Sequence, residues 1–275
     1  MWQANTSGVP IHGAHPQNGA CMNAVRHSVI AMALTTTSIF AACGTTTSNS
    51  PAQDDDRDVV VELAIRQLND GQDVTAFEAA RDAFIALLRQ QDGVEVDREF
   101  QAFLDFGAQA PPVSPVFIGM TQYENADAFA AAGQALGTSP EASEFFSTFT
   151  PQAFTALRPL DPTQTSDLAD IAGAPGQVLE IAVRDLSTYE AFDVATYEAA
   201  RDSFLALLRD QPGFVAEYQW VSVLDSNTVV GMTVYESEGA FFALLGSESF
   251  VNDPRTGAFV FGYPPSVSYV SSVVR

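Results

Sequence analysis

The sequence predicts an α+β fold made of two tandem copies of one unit of roughly 100 residues, a usual size for a small domain. Three observations carry this prediction: an internal repeat, the order of strand and helix patterns in each copy, and an N-terminal segment of different composition. Residues 77–93 read FEAARDAFIALLRQQDG, and residues 197–213 read YEAARDSFLALLRDQPG, with 12 identical positions among 17. Self-similarity of this extent indicates a duplication.

The repeat continues on both sides of this segment. Upstream, residues 62–68 (ELAIRQL) match residues 180–186 (EIAVRDL), and downstream, residues 119–124 (GMTQYE) match residues 231–236 (GMTVYE). The offset between the copies falls from 120 to 112 on the way, so the first copy carries eight extra residues, which we place in the loop Gly107–Pro115. The resulting boundaries are repeat 1 at 59–161, a linker at 162–176 and repeat 2 at 177–275.

The elements of one unit are read from repeat 2 in chain order. Val178–Leu186 is rich in β-branched residues and follows Gly176, a pattern typical of a strand. An apolar stripe at helical spacing then predicts a helix, and Gly213 is placed to end it. The members of the stripe are Tyr197, Ala200, Phe204, Leu207 and Leu208.

The second half of the unit predicts a hairpin, a short helix and a last strand. Val215–Leu224 and Val229–Tyr235 are strand patterns joined by Asp-Ser-Asn, which favours a turn. Ser237 is a good N-cap for a helix through Leu245. With a final strand at Val267–Val274, the order is βαββαβ, the ferredoxin-like unit.

Glu78 and Arg81 lie three residues apart on the first helix of repeat 1 and recur in repeat 2. We expect them on the solvent side, where such a pair contributes about 0.2–0.5 kcal/mol. Their repetition then needs no catalytic explanation.

The N-terminal segment reads as an export signal behind an upstream extension, together residues 1–43. Residues 22–27 form a basic start, and residues 28–40 form an apolar stretch of 13 residues, shorter than the ~20 that span a bilayer. The motif Phe-Ala-Ala-Cys that ends at Cys43 resembles the lipobox of bacterial lipoproteins, which implies lipidation of Cys43. Residues 44–58 are small and acidic and are expected to form a flexible tether. The alternatives are an ordinary cleaved signal with a chance cysteine and an apolar segment that is not removed.

Composition excludes several kinds of chemistry from the exported chain. All three histidines lie before residue 28, and no cysteine follows Cys43. A disulfide framework, a Cys/His metal site and a Ser-His-Asp triad are therefore excluded. There is no lysine, and the net charge of −22 repels phosphate backbones, so we expect no nucleic-acid partner.

The order of helix, Gln-Pro-Gly-Phe turn (211–214), two strands and Val-Tyr-Glu-Ser (234–237) before an Ala/Phe-rich helix resembles the antibiotic-biosynthesis-monooxygenase-like domains of the dimeric α+β barrel superfamily. The resemblance implies that the two repeats pack their sheets into one barrel within the chain. It also implies cofactor-independent oxidation of a small aromatic, quinol-like substrate, with no cofactor. A haem-degrading activity is disfavoured because no histidine ligand is available.

Two non-enzymatic interpretations stay open beside this one. The barrel is either a holder of a small hydrophobic ligand or an interaction module of the cell envelope. In each case we expect a lipid-anchored protein that faces the periplasm or the cell exterior, without bound haem or metal. An enzyme would need a raised-pKa carboxylate or a tyrosine as its base.

The candidate ligand-binding residues come from strand alternation. Tyr218 and Trp220 share one face of their strand and suit a flat aromatic ligand, although ordinary core is the alternative. Glu180 and Arg184 share a face of the first strand of repeat 2 but lie ~13 Å apart, so each needs another partner. Tyr235 completes the candidate set.

Other positions are less specific. In repeat 1, Arg98 and Phe100 stand where repeat 2 has its Tyr/Trp pair, and Glu62 and Arg66 repeat the pattern of the first strand. The loop Asn252–Pro265, which contains Tyr263, is a candidate lid.

Overall fold

Eight antiparallel strands close into a barrel in the computed structural model, which describes residues 59–164 and 167–275. The predicted export signal, Cys43 and the tether lie outside the described residues. The strands are β1 (Val60–Leu68), β2 (Val94–Asp105), β3 (Val116–Tyr123), β4 (Phe149–Pro159), β5 (Val178–Asp185), β6 (Phe214–Ser222), β7 (Thr228–Tyr235) and β8 (Val267–Val273).

Each repeat contributes half of the barrel. The strand order is β4-β1-β3-β2 in repeat 1 and β8-β5-β7-β6 in repeat 2, as expected for two ferredoxin-like units. The halves join edge to edge at two seams. Five residue pairs connect β2 with β8, and three connect β4 with β6. This confirms the predicted fold of two repeats in one barrel. Within the described residues each strand of the barrel has a partner on both sides, with the β4–β6 seam paired at three positions.

Helices cover the outer face of the barrel. They are α1 (Val74–Leu88), α2 (Ala126–Leu136), α3 (Pro140–Phe146), α4 (Val194–Arg209), α5 (Glu238–Leu245), α6 (Glu248–Val251) and α7 (Pro254–Thr256), with a π-helical turn at Gly257–Phe261 and single 3₁₀ turns at Leu168–Asp170 and Leu186–Thr188. Asp73 and Asp193 cap α1 and α4 in the same way, each side chain accepting a backbone N–H three residues on. Within the described ranges no helix is long and apolar enough to cross a membrane.

Local sequence signals place most element ends. Ser237 caps α5 by accepting the N–H of Ala240, and Asp225 begins the β6–β7 turn by accepting the N–H of Asn227. The role predicted for Gly213 is wrong, because α4 ends at Arg209 and is capped by Asp210. Gly213 lies in the turn that follows. Its φ of 80° favours glycine, and a Cβ there would stand 2.4 Å from the Cβ of Ala240.

Strand alternation separates two layers. The barrel interior is a continuous core that holds every second residue of β1 and β5, for example Leu179, Ile181 and Val183. The residues between them, such as Glu180 and Arg184, face outward and lie under the helices.

Candidate functional site

The five candidate residues fall on two sides of the sheet. Tyr218 and Trp220 point into the barrel, in the same core cluster as Met232. Glu180, Arg184 and Tyr235 lie in the outer layer between sheet and helices. The structure therefore divides them between two environments.

Trp220 fills the barrel interior. Its side chain is 0% exposed, and its equivalent in repeat 1, Phe100, is also fully buried. The indole Nε1 has no hydrogen-bond partner within residues 59–164 and 167–275, which is uncommon for a buried donor. Trp220 belongs to the cluster of buried apolar side chains that forms the interior core.

Residues 167–176 of the linker pack against one mouth of the barrel. Leu168, Ile171 and Ala172 are each at most 1% exposed and belong to the interior core. The Arg98 guanidinium holds this segment, because Nη1 donates to the carbonyl oxygen of Ile171 at 2.7 Å and Nη2 to that of Ala172 at 3.2 Å. Gln122 adds a contact, its Oε1 accepting the backbone N–H of Leu168 at 2.6 Å.

The linker leaves a groove of about 440 Å³ on the repeat 2 side of the same mouth. We call it the mouth groove; it is lined by Ala169, Asp170, Gly173, Ala174, Gln177, Val215, Ala216, Tyr218 and Val234. Burial, and after it the charge of Asp170, raises the pKa of the Tyr218 phenol. This tyrosine is therefore protonated at neutral pH and can donate a hydrogen bond.

A buried ion network occupies the outer layer of repeat 1. The Glu99 carboxylate, 0% exposed, accepts from Nη2 of Arg66 at 3.2 Å and from Nη1 of Arg81 at 2.5 Å. Arg275 approaches the same carboxylate at 3.7 Å and pairs with Asp97 at 2.9 Å. Each cation in this layer thus has an internal counter-charge.

The predicted surface pair of Glu78 and Arg81 is wrong. Arg81 is buried and pairs with Glu99 and with its neighbour Asp82. The physical reason is the helix spacing, because position 81 falls on the stripe of Phe77 and Leu88 that covers the sheet.

The outer layer of repeat 2 lacks this carboxylate. Gln219 stands where repeat 1 has Glu99, and Arg184 stands where it has Arg66. The Nε of Arg184 donates to the carbonyl oxygen of Tyr263 at 2.8 Å, and its guanidinium carbon lies 4.5 Å from the ring centre of Phe259. Burial lowers the pKa of the Arg184 guanidinium.

The glutamates of the first strands are hydrogen-bonded in both repeats. The Tyr235 hydroxyl donates to Glu180 at 2.8 Å, and the Tyr123 hydroxyl donates to Glu62 at 2.9 Å. Burial raises the pKa of both carboxyls. Because the same Tyr–Glu pair occurs in both repeats, we interpret it as a structural feature of the fold and not as evidence for a binding site.

The sequence interpretation missed the linker and Gln219. The contacts of Arg98 and Gln122 with the linker span about 50–70 residues along the chain and leave no local signal. The exchange of Glu99 for Gln219 was visible in the aligned repeats, and it marks the difference between the two outer layers.

No family model matches the sequence, and no curated protein matches it significantly. Solved structures do. An anthrone oxidase-like protein aligns with a TM-score of 0.54 at 14% identity, covering 80% of this chain and 93% of that one. A chlorite dismutase variant from Candidatus Nitrospira defluvii aligns with a TM-score of 0.51 at 10% identity, covering 80% and 93%. The chain has the tandem ferredoxin-like barrel fold of these proteins. At such identity the likeness defines the fold alone.

Proposed function

We propose that the mouth groove binds a small aromatic, quinol-like ligand and that the chain oxidises it with dioxygen, without a cofactor. The observation that carries this proposal is a groove of about 440 Å³ lined by both a phenol and a carboxylate. Its volume lies in the range of small-molecule sites, ~300–1,000 Å³.

The lining residues supply the two roles that such a reaction needs. The Asp170 carboxylate accepts the proton of a quinol hydroxyl, and the Tyr218 phenol donates a hydrogen bond to the oxyanion that results. The electron-rich anion transfers electrons to dioxygen. Over the whole reaction the quinol loses two electrons and two protons to become a quinone, and dioxygen gains them to become hydrogen peroxide.

Binding without chemistry is the second candidate, and a specific observation favours it. Trp220 lies in the buried core of the barrel, and the mouth groove opens to solvent, so water is not excluded from a bound ligand. An envelope interaction module is the third reading; it would make the groove incidental.

Oxygen consumption with a series of hydroquinones tests the first proposal. We expect uptake with the unmodified chain and loss of most of it in Asp170→Asn and Tyr218→Phe. Tyr269→Phe is the matched control, because Tyr269 is another nearly buried tyrosine of the barrel interior that does not line the groove. Binding of a hydroquinone without oxygen uptake would favour the second candidate. If neither binding nor uptake occurred, both candidates would be refuted.

We further propose that the protein is anchored in the cell envelope through a lipid on Cys43 and faces the periplasm or the cell exterior. The lipobox-like motif and the acidic tether support this location.

A further inference from the structure

Arg184 is a buried cation that forms no salt bridge within the described residues; the carboxylate that acts on it electrostatically, Glu180, lies beyond ion-pair distance on the same strand. Arg184 is 6% exposed. In the described part of the chain its single hydrogen bond runs from Nε to the carbonyl oxygen of Tyr263. No carboxylate of the described ranges lies within ion-pair distance, so Nη1 and Nη2 have no protein acceptor there and keep only limited solvent contact. A buried guanidinium is normally paired, since burial without a partner is costly.

Repeat 1 shows what the missing partner would be. There Arg66 lies directly over Gly119, its Nη2 only 1.8 Å from where a Cβ of that glycine would stand, and Glu99 accepts from it. In repeat 2 the equivalent glycine is Gly231, and Gln219 replaces the glutamate. The buried carboxylate is the one component of the arrangement that repeat 2 does not supply.

The space beside Gly231 is flanked by two donors. The position of a Cβ on Gly231 lies 3.3 Å from Nε2 of Gln219 and 3.9 Å from Nη1 of Arg184. The Gln219 amide already donates to the Glu217 carboxylate at 3.2 Å and has a second N–H, and the guanidinium fork of Arg184 matches a carboxylate in geometry. An anion at this point would take the place that the Glu99 carboxylate has in repeat 1.

Aromatic rings enclose the guanidinium. Phe259 lies under it, and its ring stacks in turn against Phe204 at 5.2 Å between centres. Tyr263 meets Tyr197 and Tyr189 edge to face at 5.1 and 5.4 Å. Such walls favour a flat organic ligand over a hydrated inorganic ion.

The segment that carries Phe259 and Tyr263 closes this region. Besides its contact with Arg184, it is held by the Tyr189 hydroxyl, which donates to the carbonyl oxygen of Pro264 at 2.8 Å. It contains the π-helical turn Gly257–Phe261, a distortion often found at functional sites. The predicted lid, Asn252–Pro265, is this segment.

We infer that the outer layer of repeat 2 is a binding site for a small aromatic carboxylate, held by Arg184 and Gln219 beside Gly231. Repeat 1 satisfies the same position internally with Glu99. The site lies on the opposite face of the sheet from the mouth groove, so it stands or falls independently of the proposed oxidation.

Calorimetric titration with benzoate tests the inference, with benzyl alcohol as the neutral analogue and inorganic phosphate as the non-aromatic anion. We expect saturable binding of benzoate alone. Arg184→Gln should weaken it by roughly tenfold to a hundredfold, the range for lost hydrogen bonds to a charged group. Gln219→Glu should weaken it as much while keeping the arginine, because the new carboxylate occupies the guanidinium as Glu99 does in repeat 1.

Arg158→Gln is the control, since Arg158 is an exposed arginine on β4 of repeat 1. It should bind benzoate like the unmodified chain. Equal binding by Arg184→Gln, or no binding of benzoate to the unmodified chain, would overturn the inference. Phosphate binding as tight as that of benzoate would overturn the aromatic ligand class.

Discussion

Glu99→Gln removes one negative charge from the ion network of repeat 1 without changing the shape of the side chain. Glu99 is fully buried and accepts from both Arg66 and Arg81, which are each about 5% exposed. After the substitution Arg66 loses its ion-pair partner, and Arg81 keeps only its contact with the exposed Asp82. The closely similar shape means that the change tests charge, not packing.

The expected cost is large for one substitution. Breaking a buried ion pair by removing one partner costs about 3–5 kcal/mol, against a total stability of about 5–15 kcal/mol for a typical domain. With an m-value of about 2 kcal/mol per molar urea, the unfolding midpoint should fall by roughly 1.5–2.5 M. Fluorescence of Trp220 is a suitable probe, since Trp220 is the only tryptophan after residue 2 and lies in the barrel interior.

Gln219→Glu is the reciprocal control at the equivalent position. It brings a carboxylate to Arg184 but also places it beside the Glu217 carboxylate, which in the unmodified chain accepts from the Gln219 amide at 3.2 Å, so the gain from pairing is set against burial and like-charge repulsion. The midpoint should therefore stay within about 0.5 M of the original or rise. If Glu99→Gln moved the midpoint by less than this, Glu99 would not be the counter-charge of the layer, and the contrast between the repeats would lose its basis.

Three further changes have definite outcomes. Cys43→Ser should move the protein from the membrane to the soluble fraction, and unchanged fractionation would refute lipidation. Arg98→Met should loosen the linker and raise acrylamide quenching of Trp220, whereas Arg158→Met, at an exposed site on β4, should not. Glu180→Gln keeps an acceptor for Tyr235 and removes a carboxyl whose pKa is raised by burial. It should stabilise the fold at neutral pH, and the gain should vanish below about pH 4.5, where Glu180 is protonated in both folded and unfolded states; a pH-independent effect in urea melts would contradict this.

The repeat made the architecture predictable. Once the second copy is recognised, the sequence contains two independent examples of each strand pattern. The βαββαβ order then follows, with errors of a few residues at the ends of the strands and helices. Alternation also put Tyr218 and Trp220 on one face. It does not say which face turns inward, so Glu180 and Arg184 had no assigned layer until the barrel closed.

Arg81 shows a different limit. The helix stripe through Phe77 and Leu88 includes position 81, yet a charged residue is normally placed in solvent by its residue type. The partner that permits its burial, Glu99, lies on another strand and is recognised only in three dimensions. The hydrogen bonds from Arg98 to the linker could not be predicted for the same reason, since the two segments are far apart in the sequence.

Joining both halves in one polypeptide has a consequence for how the protein evolves. A symmetric dimer repeats every substitution in both subunits, so a change that benefits one half is imposed on the other. In the fused chain the positions of Glu99 and Gln219 can change independently. The outer layer of repeat 1 can therefore keep its ion network while that of repeat 2 changes. A division of labour of this kind is open only to the fused form.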